Sequence, residues 1–187
     1  MQIIVASDIH GINDDLKALF HDYGDEIKFL SPWNKDVCPY NTEQEAVTVF
    51  HAKNGLVTYQ QKIAEAVGQS PALLIGFSVG ASSLWLHIAS QNCHPASYAQ
   101  LFYGSRIRDH VSFIPRCKTS LIFAEHESSF EPKKLATELV SSQVDCSIIQ
   151  ESHHGFMNPR SSHFNETLTR QLLAQLKSSL SRYNKDD

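Results

Sequence analysis

The stretch Ala72-Leu73-Leu74-Ile75-Gly76-Phe77-Ser78-Val79-Gly80-Ala81-Ser82-Ser83 decides the fold. It opens as a short apolar run, turns at a Gly-x-Ser-x-Gly pentapeptide, and continues as a helical pattern from Val79 to Ala89. A serine on so sharp a strand-to-helix turn takes a strained backbone and projects its hydroxyl above the sheet. Glycines two positions before and after it remove side chains that would collide where strand and helix cross. The N–H of Val79 then stands at a helix start, where donors are unpaired and the dipole favours negative charge. Such a donor is suited to a developing oxyanion.

The same alternation of apolar run and helical pattern recurs along the chain. The other runs are Ile3 to Ala6, Ile27 to Leu30, Ala99 to Tyr103, Ser120 to Ala124 and Cys146 to Ile149. Short continuous apolar runs suit strands covered on both faces, hence a parallel sheet. Helices are predicted over Asp14 to Tyr23 with Asn13 as N-cap, Leu56 to Val67 ending at Gly68, Pro132 to Val140, and Asn165 to Tyr183. The last carries Leu168, Leu172, Leu176 and Leu180 at a spacing of four. Residues 31–54 stay open. Thr42 and Glu45 fit a capping box, whereas Val47-Thr48-Val49-Phe50 reads equally well as extended. The expectation is an α/β fold, a doubly wound, mostly parallel sheet of about six strands with helices on both faces. Ligands in such sheets bind beyond the carboxyl ends of the strands.

The 187 residues suit a single domain over 1–187. A net charge of -4 gives no electrostatic footprint for nucleic acid or anionic membrane. No apolar stretch approaches the ~20 residues that span a bilayer, and no secretory signal pattern precedes the first run. Cys38, Cys93, Cys117 and Cys146 form no Cys-x-x-Cys pair and read as scattered reduced thiols. A cytoplasmic location is the expectation, with oligomeric state open.

A serine hydroxyl needs a base to take its proton. On a sheet of this kind the partners follow in the order serine, acid, histidine. After the fifth run comes Ala124-Glu125-His126-Glu127, and after the sixth Glu151-Ser152-His153-His154-Gly155-Phe156-Met157. His154 is the expected base and His153 its rival. Glu127 is preferred as acid, with Glu125 competing from the same loop. Loops after the strands, including His10, Trp33, Tyr103 and Phe156, are expected to line the pocket.

Together these residues resemble the dienelactone hydrolase family of α/β-hydrolases over nearly the whole chain. Ser7-Asp8-Ile9-His10-Gly11-Ile12 resembles the loop after the family's early central strand. Gly76-Phe77-Ser78-Val79-Gly80 resembles its elbow, and Phe102-Tyr103-Gly104-Ser105 its Tyr-Tyr-Gly segment. His154-Gly155-Phe156 is similar to its His-Gly-Phe segment, the most specific match. The resemblance implies that Ile9 gives a second oxyanion N–H beside Val79 and that Glu127 is the acid. It also implies that Asp8 lies beside the nucleophile and that His10 stands at the site mouth. Ser78 replaces the cysteine of the name-giving enzymes, which points to a general esterase acting on a small-molecule ester or thioester. Arginines that grip a substrate carboxylate have only Arg106 and Arg160 as weak counterparts. The family's early antiparallel strands are missing. No cofactor or metal is implied.

Two rivals remain. Asp8 and His10 resemble the opening Asp-x-His of a metallophosphoesterase, although the further boxes of a two-metal site are missing. A non-catalytic binding protein on a hydrolase scaffold is the other, because fold does not fix function.

Overall fold

In the computed structural model the described residues are 1–24, 26–141 and 143–183, with side chains described through 178. Six strands form one sheet: β1 (Gln2–Ala6), β2 (Ile27–Leu30), β3 (Ala72–Phe77), β4 (Tyr98–Phe102), β5 (Lys118–His126) and β6 (Val144–His153). Their order is β2-β1-β3-β4-β5-β6, and every neighbouring pair is parallel. The sheet is thus wholly rather than mostly parallel. Among the described residues the antiparallel pairing is confined to an isolated bridge, Gly11 to Val37.

Alternation along the strands explains why both faces are covered. Ile4 and Ala6 of β1, with Ala72 and Leu74 of β3, face one core. Val5, with Leu73, Ile75 and Phe77, faces the other. The first core is covered by α2 (Glu43–Ala52), α3 (Gly55–Val67), α4 (Val79–Ile88) and α5 (Pro132–Leu139). The second is covered by α1 (Asp14–Leu19) and α6 (Glu166–Tyr183). Leu172 and Leu176 are buried there, so the leucine row of α6 is a core face. Leu180 has its side chain outside the described residues. Among those residues no helix is long and apolar enough to cross a membrane.

Local signals account for most helix ends. The Asn13 side chain accepts from Leu16 N–H, and Gly68 ends α3 at φ 66°. Phe20 leaves helical geometry at φ -109°, ψ 11°, so the helix expected to reach Tyr23 stops at Leu19 and a short 3-10 turn follows. The open segment resolves as α2. Thr42 accepts from Glu45 N–H, and Ala46 and Phe50, four apart, bury together. The cap and the buried stripe outweigh the β-branched residues at 47–49.

All four cysteines are free thiols; Cys93 and Cys117 are buried, and the Cys93 thiol donates to His94 O at 3.6 Å.

The strand order reverses direction between β1 and β3. That switch point opens a crevice at their carboxyl ends, where Asp8, Ile9 and Ser78 leave the sheet.

Candidate active site

Ser78 joins β3 to α4 at φ 51°, ψ -112°, a region rarely occupied by a residue with a Cβ. Packing holds it there. A Cβ on Gly76 would lie 2.7 Å from Ala81 Cα, and one on Gly80 would strike the carbonyl oxygens of Ala6 and Ser7. The start of α4 is therefore pressed against the end of β1. The Ser78 N–H donates to Phe102 O at 3.0 Å, and its carbonyl accepts from Ser82 N–H at 3.0 Å. Because both obstacles at Gly80 are backbone atoms, Gly80→Ala is expected to destabilise the fold by about 2 kcal/mol or more. A urea melt checks this, and an unchanged midpoint would refute the close approach.

His154 follows β6, ahead of Gly155 at φ 79°. Its Nε2 is 3.0 Å from Ser78 Oγ. Its Nδ1 is 2.8 Å from Glu127 Oε2 and 3.1 Å from Oε1. The Glu127 side chain is 2% exposed and that of His154 36%. An Nδ1–H donated to the buried carboxylate leaves the Nε2 lone pair facing the serine hydroxyl. Glu125 goes elsewhere. Its Oε2 accepts the N–H of Glu151, a residue at φ 55°, at 2.7 Å. The His153 ring has other neighbours, lying 4.3 Å from that of His163 and 4.7 Å from that of His126.

The loop after β1 meets the loop after β6. Asp8 Oδ1 accepts His10 N–H at 2.9 Å, and its Oδ2 accepts the Asn158 side-chain amide at 2.8 Å. Burial pushes the Asp8 carboxyl above its usual range, and His10 works against that shift. Trp33 Nε1–H donates to Ile9 O at 2.8 Å. The Ile9 N–H has no acceptor among the described residues, and Val79 N–H, at the first position of α4, has no intrahelical acceptor. His10 Nε2 lies 3.4 Å from Glu43 Oε2 in the first turn of α2. That contact raises the imidazole's pKa and lowers the carboxyl's.

Two expected pocket residues have a different place. Tyr103 and Phe156 are buried, 1% and 0% exposed, with ring centroids 5.1 Å apart. Tyr103 sets its ring 5.0 Å from that of His154, edge to face. They bury because both belong to the core that α6 covers, so they support the imidazole rather than offer an open wall. Tyr103 reaches only a small cavity of about 20 Å³ that it shares with Asp8, Phe77, Met157 and Asn158. A wider cleft of about 720 Å³ opens beside His154 and Glu127. Arg106 and Arg160 are each engaged by a carboxylate, Asp109 at 2.8 Å and Asp15 at 3.0 Å.

Asp8 and His10 do not converge with further ligands. Both Asp8 oxygens accept N–H groups, His10 faces Glu43, and no group of three His, Cys, Asp or Glu among the described residues could hold a metal ion. Asn158 and Glu43 escaped the sequence reading. No local pattern links Asn158 to a carboxylate 150 positions earlier.

No family model matches the chain. An uncharacterized Bacillus subtilis protein, YczH, is 31% identical over 188 residues, covering 94% of this chain and 90% of that one. Among solved structures, a candidate dienelactone hydrolase from Klebsiella pneumoniae superposes with a TM-score of 0.70 at 14% identity, over 95% of this chain and 84% of that one. P91, a dienelactone hydrolase-like promiscuous phosphotriesterase from metagenomic libraries, gives 0.70 at 10% identity, over 98% and 85%.

Proposed function

The chain belongs to the family of Bacillus subtilis YczH and has the fold of dienelactone hydrolase-like proteins, and from that premise we propose that it is a serine hydrolase cleaving a small ester or thioester. The observation that carries this reading is the unbroken hydrogen-bonded line from Ser78 Oγ through His154 to buried Glu127, at 3.0 and 2.8 Å, on a strained elbow. Backbone strain of the kind held at Ser78 clusters at active sites and ligand clamps.

In this mechanism His154 takes the Ser78 proton as Oγ attacks the acyl carbon. Glu127 holds the imidazole in the required tautomer and stabilises the imidazolium that forms. The N–H groups of Ile9 and Val79 receive the oxyanion. His154 then protonates the leaving alcohol or thiol. It next deprotonates the water that hydrolyses the acyl-enzyme.

The test is turnover of a short acyl p-nitrophenyl ester and a short acyl thioester, with and without chelator. Chelator-resistant hydrolysis is expected. Glu127→Gln should lower kcat/KM by about 10²- to 10⁴-fold, because an amide cannot hold the imidazolium. Glu125→Gln should cost less than about tenfold, since its carboxylate meets the Glu151 N–H and the His126 ring rather than His154. Equal losses would remove Glu127 from the triad. A wild type inert towards both substrates would favour a binding protein on this scaffold.

A further inference from the structure

Beside the loop that carries Ile9 lies a groove of about 380 Å³ that the proposed chemistry leaves unused. Half-buried Trp33 and Tyr40 line it, backed by Phe50 from the core. Their rings meet edge to face, Trp33 to Tyr40 at 5.2 Å and Trp33 to Phe50 at 6.2 Å between centroids. Pro32 and Pro39 add further apolar wall. Two cations, Lys35 and Lys53, share the groove with these rings, and no carboxylate lines it. Neither lysine has an ion-pair partner among the described residues.

The charge pattern differs from that of two other pockets. The chain carries a net charge of -4. The cleft beside His154 contains Glu125, Glu127 and Glu131. The pocket beside α6 contains Asp15, Asp22 and Glu166 against Arg170, which is paired with Glu166. Unpaired ammonium groups next to an aromatic wall, with acids excluded, suit one kind of ligand. An apolar body covers the rings, and a single anionic group meets the lysines.

We propose that this groove binds a small amphipathic anion, a carboxylate with an aliphatic or aromatic body. The site is separate from the catalytic proposal, because Ser78, His154 and Glu127 do not line it. It is nevertheless tied to that region through the Trp33 indole, whose N–H donates to Ile9 O. A third lysine, Lys62, donates to Ser31 O at 2.9 Å and to Trp33 O, and so holds the groove's loop in place.

Trp33 reports occupancy directly, since the other tryptophan, Trp85, is buried in the core. Decanoate is titrated below its micelle concentration, with decanol and decylammonium as chain-matched controls. Saturable change in tryptophan emission is expected with decanoate in wild type and equally in Ser78→Ala. Decylammonium should bind at least about tenfold more weakly, and the double variant Lys35→Glu/Lys53→Glu should weaken decanoate by at least about tenfold. Trp33→Phe should abolish the signal. The lysines are exposed, so charge reversal leaves the core intact. The proposal is overturned if decanoate gives no saturable change, if decylammonium binds alike, if the double variant binds as wild type does, or if the signal survives Trp33→Phe. Binding is read without turnover, so failure here and failure of the hydrolase reading are separate results.

Discussion

Ser78→Ala is expected to reduce kcat/KM for a short acyl ester by about 10⁴-fold or more, and His154→Ala to match it. The two groups act as one unit. A hydroxyl without its base stays protonated, and a base without its hydroxyl has nothing to activate. The double variant should therefore be no worse than either single one, because the losses are not additive. Residual turnover would come from the N–H groups of Ile9 and Val79, which both substitutions leave in place. Folding should barely change. The substituted alanine must adopt the same φ of 51° that the packing of Gly76 and Gly80 imposes on Ser78. Removing one hydroxyl that contacts His154 is worth about 1 kcal/mol. Steady-state kinetics and a thermal melt on the same preparations decide the matter. Turnover that persists in Ser78→Ala would mean another nucleophile, and the hydrolase mechanism above would fall.

The second large effect lies in acid stability and comes from a residue far from the proposed chemistry. His87 on α4 is fully buried, and neither ring nitrogen has a hydrogen-bond partner among the described residues. Burial pushes its pKa down from 6.5 to about 4. Between those values the unfolded chain binds a proton that the folded protein refuses, so stability rises with pH there. The His87 contribution is complete above pH 6.5 and is lost as pH falls towards 4. The whole shift corresponds to about 3 kcal/mol. His87→Leu removes this dependence. It also removes the cost of two unmet polar atoms, about 1 to 3 kcal/mol. Urea unfolding of wild type and variant at pH 7 and pH 4.5 should show the variant more stable at both, with the gap wider at the lower pH. Other groups titrate in that range but do so in both proteins, so the difference isolates His87. Equal losses on acidification would show that His87 finds a partner or takes up its proton freely in the fold.

The sheet and the elbow were legible because their causes are local. The apolar runs all became strands, buried on both faces in the central β3 and only half covered in the edge strands β2 and β6. Ser78 takes its place because strand, turn and helix are contiguous in the chain, with Gly76 and Gly80 where the crossing demands them. The chain order of Ser78, Glu127 and His154 could be read in the same way, since each follows the end of a strand.

Tertiary structure decided what depends on residues far apart in the chain. Glu125 and Glu127 stand two apart, so strand periodicity puts both on one face and cannot choose between them. The choice is made by β6, whose register against β5 shifts between Ala124 and His126. That shift gives Glu125 to the Glu151 N–H and leaves Glu127 to His154. The Asp8–Asn158 contact, the burial of Tyr103 and Phe156, and the groove behind Ile9 arise in the same way. Each needs loops that the strand order β2-β1-β3-β4-β5-β6 gathers at one end of the sheet. Periodicity reports which face a side chain takes on its own element. Where that face ends up, and what meets it there, is set only when the crossovers bring distant loops together.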